Sequence, residues 1–149
     1  MLGAPVPPTD HVSRYCFKKH IDGDRISGAA FELRRPTEQR AAETYLSVNW
    51  LELLCLPTRD DEIAEVRRIF GRKLRSMHKR DRLAVGQVNE IIGNVSTGSP
   101  DGRRLTVAHE PEEQDPSHSG IYGLRVEDDL LYGELIAEVF QDSYPARTE

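Results

Sequence analysis

Apolar and polar residues alternate at the start of the chain, just after a proline-rich opening. Over 11–17, Val12, Arg14 and Cys16 fall on one side and Ser13, Tyr15 and Phe17 on the other, which predicts a short β-strand. An Asp-Gly turn signal follows within 21–25, and 26–34 resumes as a second strand, so the pattern predicts a hairpin that Pro36 ends. Residues 38–43 have the composition of a short helical piece. The most apolar stretch, 45–56 (YLSVNWLELLCL), belongs in the core. Its first half is β-branched and aromatic and its second half Leu-rich, so a strand passing into a helix and one continuous helix both satisfy it.

The clearest period is helical. Over 60–80, Ile63, Val66, Ile69, Phe70, Leu74 and Met77 recur at helical spacing, with aspartates at the start and basic residues at the end, the charge order that suits a helix dipole. Residues 83–95 mix strand-like alternation with glycines, 96–102 form a turn cluster, and 105–109 are predicted to be a strand ending in His109. Residues 110–119 are an acidic loop broken by prolines, which puts His118 on a loop or at a helix start. A second amphipathic helix is predicted over 127–140, with Leu130, Leu131, Leu135, Ile136, Val139 and Phe140 on one broad face. Together these elements predict an α+β fold: a small single domain (10–144) with two main amphipathic helices packed on an irregular sheet, a flexible N-terminal arm (1–9) and a C-terminal tail (145–149).

Composition narrows the class. With 149 residues and 38% apolar positions the chain can bury one core without staples. A net charge of −5 argues against a nucleic-acid partner, and the basic run 67–82 is expected to be a solvated helix face. No apolar run approaches the roughly 20 residues that span a bilayer. The opening MLGAPVPPTD lacks a cationic start, so a cytoplasmic location away from membranes is expected. With only Cys16 and Cys55, a disulfide framework is not expected, and Cys55, between two leucines, belongs to the core.

The candidate chemistry centres on His109 and His118, which bracket a segment that cannot be helical. Imidazole is the commonest metal ligand and titrates near neutral pH. Thiolate plus imidazoles is a common zinc donor set, which adds Cys16, and Glu52 interrupts the apolar run 50–54, where a carboxylate asks for a partner. Simpler roles compete: Cys16 as a core residue, Glu52 facing solvent at a helix start, His109 bonded to backbone at a strand end, His118 beside a cap. A Cys16–His118 thiol dyad is a further alternative. His11 is a spare ligand candidate, while His20 and His78 have ordinary surroundings. There is no HExxH, GxSxG, CxxC pair or Gly-rich phosphate loop.

The order Cys, Glu, His, His, in HVSRYCF, LSVNWLE, LTVAHE and DPSHSGIYG, resembles the bacterial proteins called CEHH after those four residues. Members of that group are encoded beside ubiquitin-like proteins and their E1-like and E2-like enzymes and are regarded as metal-binding. The resemblance implies that Cys16, Glu52, His109 and His118 meet in space. Zinc would sit on Cys16, His109 and His118, with Glu52 either a fourth ligand or a catalytic proton acceptor. The function it implies is a zinc-binding accessory protein of a ubiquitin-like conjugation pathway, with hydrolytic or proton-transfer activity at an open metal position. The alternative is a non-catalytic adaptor that holds an E1-like or E2-like partner, its metal purely structural.

Overall fold

The computed structural model describes residues 3–148. Its strands are β1 (His11–Cys16), β2 (Ile21–Asp22), β3 (Arg25–Ile26), β4 (Leu46–Trp50), β5 (Arg82–Gln87), β6 (Thr106–His109), β7 (His118–Tyr122) and β8 (Asp142–Pro145). The helices are α1 (Arg59–Lys73), α2 (Val88–Gly98) and α3 (Leu130–Ala137). Six strands pair in the order β6-β7-β4-β1-β5-β8, every neighbouring pair antiparallel, while β2 and β3 form a separate small hairpin. The fold is α+β, in one small domain.

The sheet is covered on both sides. One core gathers Val12, Cys16, Leu46, Val48 and Ala84 with Val88, Ile91 and Val95 of α2 and Leu135, Ile136 and Phe140 in and after α3. A second gathers Tyr15, Leu83 and Val85 with Ile63 and Val66 of α1. Alternation along β1 therefore sends side chains into two apolar layers rather than to one core and one wet face.

The 60–80 helix is shorter than its pattern. It opens on Thr58, whose hydroxyl accepts the Asp61 N–H, and stops at Leu74, which turns extended. Beyond it, the buried Asp81 carboxylate accepts the Tyr15 hydroxyl, the Lys18 N–H and the His78 N–H, which holds 78–81 in a turn against β1. Leu74 and Met77 still pack on the second core, so their apolar spacing reports burial and not helix. At 127–140 the helix is only α3: the Asp129 side chain caps it by accepting the Leu131 N–H, Asp128 is drawn off to pair with Arg103, and Leu130 and Leu131 face outward.

Other expectations are corrected too. The predicted second strand over 26–34 keeps only Ile26 in β3. Ser27 then accepts the Ala29 N–H and starts a 3-10 turn that buries Phe31 against Phe140, ring centres 4.8 Å apart. No helix forms over 38–43, because Thr37 Oγ1 takes the N–H groups of Gln39 and Arg40 and Glu43 N–H returns to the Arg34 carbonyl. The ambiguous 45–56 stretch is strand followed by a single 3-10 turn, Glu52–Leu54, which ends at an exposed Cys55 in the left-handed region rather than in the core. Region 83–95 divides into β5 and α2, a third helix that its glycines obscured. His118 begins a strand. The arm is not loose where it is described: Val6 is buried and donates its N–H to Val107, and His109 N–H reaches Ala4. The tail is tied as far as Ala146, which is buried. Residues 1–2 of the arm and 149 of the tail lie outside the described residues.

Candidate functional site

Register fixes where the four expected site residues stand. His109 pairs with Ser119 and Ser119 with Val48, whereas His118 pairs with Asn49. Directly opposed residues share a face and successive residues alternate, so His109 and His118 emerge on opposite faces of the sheet. Cys16 shares the His109 face, but β1 is three strand spacings from β6, about 14 Å away. Zinc ligands must all lie about 2.0–2.3 Å from one ion. The expected convergence of Cys16, His109 and His118 is therefore not formed, and among the described residues no group of three or more His, Cys, Asp or Glu is arranged to hold a metal ion.

Local chemistry agrees. Cys16 is fully buried, its thiol hydrogen-bonds to the Arg14 carbonyl at 3.5 Å, and burial pushes its pKa up to about 12. That is the setting of an inert core cysteine, so it supports neither a zinc thiolate nor a Cys16–His118 nucleophile. His118 donates Nδ1–H to the Glu110 carbonyl (2.9 Å) and accepts from the Ser47 hydroxyl (3.3 Å), both ring nitrogens being spent on the fold. His109 donates Nε2–H to the Pro116 carbonyl (2.7 Å) and sets its ring edge-on to Trp50. Both histidines thus pin the 110–117 loop to the sheet.

The same loop carries a buried knot that motif reading passed over. Asp115, inside the acidic run, accepts from Asn49 Nδ2 (2.9 Å), the Ser117 hydroxyl (3.0 Å) and the Lys73 ammonium (2.8 Å). Burial pushes this carboxyl up, but the bonds from Lys73 and Asn49 outweigh it and leave the pKa below the ordinary carboxylate range. It ties α1 to β4 and the loop. Among the four carboxylates of this acidic loop nothing in the sequence distinguishes Asp115 from its neighbours.

Glu52 does meet an imidazole, that of His11. The first turn after β4 lifts Glu52 beside the start of β1, where Oε1 accepts the His11 N–H at 2.7 Å and Oε2 stands 2.6 Å from Nδ1. A carboxylate can only accept, so neutral His11 carries its proton on Nδ1 and leaves the Nε2 lone pair outward. Both side chains are about one-third exposed, 31% and 33%, and Nε2 has no hydrogen-bond partner among the described residues. Next to the pair, Trp50 donates its indole N–H to Asp10 (2.8 Å), which fixes the ring that His109 touches. Both Glu52 oxygens are engaged on His11, which places the carboxylate to orient that imidazole. His11, carried in the sequence only as a spare ligand, is the histidine that meets Glu52, with its Nε2 unpaired among the described residues.

No described helix is long and apolar enough to cross a membrane. A comparison of the chain with protein-family models, curated proteins and solved structures finds no match.

Proposed function

We propose that this chain is an accessory protein of a bacterial ubiquitin-like conjugation pathway with hydrolytic or proton-transfer activity, in which His11 is the proton acceptor and Glu52 orients it. The observation that carries the chemistry is the 2.6 Å contact from His11 Nδ1 to Glu52. A carboxylate behind one ring nitrogen fixes the tautomer, aims the other nitrogen outward and stabilises the imidazolium formed when that nitrogen takes a proton. Water or a substrate hydroxyl at Nε2 would lose its proton there, and the leaving group would receive it back. The pathway itself, and an E1-like or E2-like protein as partner, rest on the resemblance of Cys16, Glu52, His109 and His118 to the CEHH proteins. Zinc enters only by that resemblance, and no step runs through it, since its expected donors share no common point.

Conjugates assembled by the pathway's E1-like and E2-like proteins, thioester- or isopeptide-linked, supply the test. The full chain is expected to release the ubiquitin-like protein, and His11→Gln to do so more slowly by a factor of about 10²–10⁴. Equal release by the two proteins would overturn the role of His11. The adaptor reading has its own observation, Leu130 and Leu131 exposed at the start of α3. A complex with either partner that survives size exclusion, with no release of product, would favour it.

A further inference from the structure

A second site lies near the other end of β1, apart from His11 and Glu52. A cleft of about 460 Å³ opens there between the residues after β1 and the 34–43 loop. Its charge is one-sided: Arg14, Lys19, Arg34 and Arg40 line it against Glu32 and Glu43, in a chain whose net charge is −5. Glu43 is already committed, one oxygen to the Arg34 N–H (2.6 Å) and the other to the Arg34 guanidinium (3.3 Å).

Among the described residues, none of the remaining cations makes an ion pair. Arg14 is held by carbonyls alone, of Ala30 and Ser47, both at 2.9 Å, and burial pushes its pKa down. Lys19 and Arg40 make no ion pair among the described residues. The Arg34 Nε–H is buried without an acceptor, which is costly for a donor on a cation. His20 also lines the cleft, and burial together with Lys19 and Arg14 holds its imidazole below the ordinary value. Arg40 is preset by a closed loop, Thr37 N–H bonding to the Arg40 carbonyl at 2.8 Å and Glu43 N–H to that of Arg34 at 3.0 Å. At the rim, Phe17 is 45% exposed and leans on Tyr15, leaving an aromatic surface open.

The geometry points to a binding site for a small phosphomonoester bearing a flat ring, its phosphate held by Arg14, Lys19, Arg34 and Arg40 and its ring laid on Phe17. Four cations against two carboxylates match a dianion, and guanidinium forks fit phosphate oxygens in pairs. The volume falls within the roughly 300–1,000 Å³ of small-molecule pockets. Such a site is independent of the His11–Glu52 chemistry.

Titration of the full chain with inorganic phosphate, adenosine 5′-monophosphate and adenosine, followed by calorimetry and His20 ring signals, tests it. The nucleotide is expected to bind with a Kd below about 1 mM, more tightly than phosphate, with adenosine weakest. Binding should raise the His20 pKa. Lys19, Arg40 and Phe17 are exposed, so their substitution leaves the fold intact. Lys19→Glu with Arg40→Glu should lower nucleotide affinity at least ~10-fold, whereas Phe17→Ala should bring it to the level of phosphate without changing phosphate itself. His11→Gln should leave all of these values alone. Silence of every probe at about 10 mM, adenosine binding as tightly as its monophosphate, or indifference to the double charge reversal would each overturn the site.

Discussion

His11 Nδ1 and Glu52 Oε2 stand 2.6 Å apart although 41 positions separate them in the chain. The contact exists because β1 and β4 are antiparallel neighbours, so the turn leaving β4 lands beside the residue that enters β1. It also makes a sharp prediction. Glu52→Gln keeps the shape and can still accept the His11 N–H, but an amide offers Nδ1 a donor and moves the ring proton to Nε2. Stability should stay within about 1 kcal/mol of the parent, while activity falls by about 10²–10⁴. Nitrogen NMR of the His11 ring should report the change of tautomer; an unchanged tautomer would refute the orienting role whatever the activity does.

The two cysteines should separate cleanly by reactivity. Exposed Cys55 is expected to react quickly with a disulfide reagent in the native protein, and Cys16, buried with its pKa pushed up to about 12, only on unfolding. Cys16→Ala should cost about 1 kcal/mol and leave the zinc content of the purified protein unchanged. Two fast thiols, or stoichiometric zinc that disappears with Cys16, would show that the thiol is available as a ligand after all.

Acid should loosen the Asp115 knot. Because the native carboxyl titrates below its ordinary value, its stabilisation is complete above the unfolded pKa of about 3.9 and fades as pH falls through the lower native value. Asp115→Asn removes the charge that Lys73 faces and is expected to cost about 2–4 kcal/mol at neutral pH. Urea midpoints measured from pH 7 downward should converge for the two proteins as pH falls below the ordinary carboxylate range; parallel curves would mean that Asp115 is not the group responsible.

Close backbone contact makes a fourth test. A methyl group at Gly133 in α3 would meet the Gly28 carbonyl oxygen at 2.4 Å, and one at Gly28 would meet the Glu134 nitrogen at 2.7 Å. Neither neighbour is a side chain that can swing away. Gly133→Ala and Gly28→Ala should each destabilise by about 1–3 kcal/mol in a urea melt, a larger loss than at exposed Gly93, where an added methyl meets nothing within 4 Å.

The sequence by itself determined the elements whose signals are local. Period-two alternation marked β1, helical spacing with charged ends marked α1, and residues 105–109 announced β6, because each depends on which neighbours a residue has within one or two turns of chain. The α+β class followed from those elements together. Helix ends were less legible: Leu74 and Met77 continue the apolar pattern of α1 but are buried from a non-helical segment that Asp81 holds in place. The site was decided by tertiary structure alone. Strand order and register set His109 and His118 on opposite faces, moved Cys16 three strands from β6, and joined Glu52 to His11, and no spacing along the chain encodes those choices. Likewise Asp115 and the cationic cleft arise from side chains far apart in sequence that meet only when the sheet closes around them. Their partners are selected by pairing across the fold, a long-range outcome that residue type and periodicity leave open.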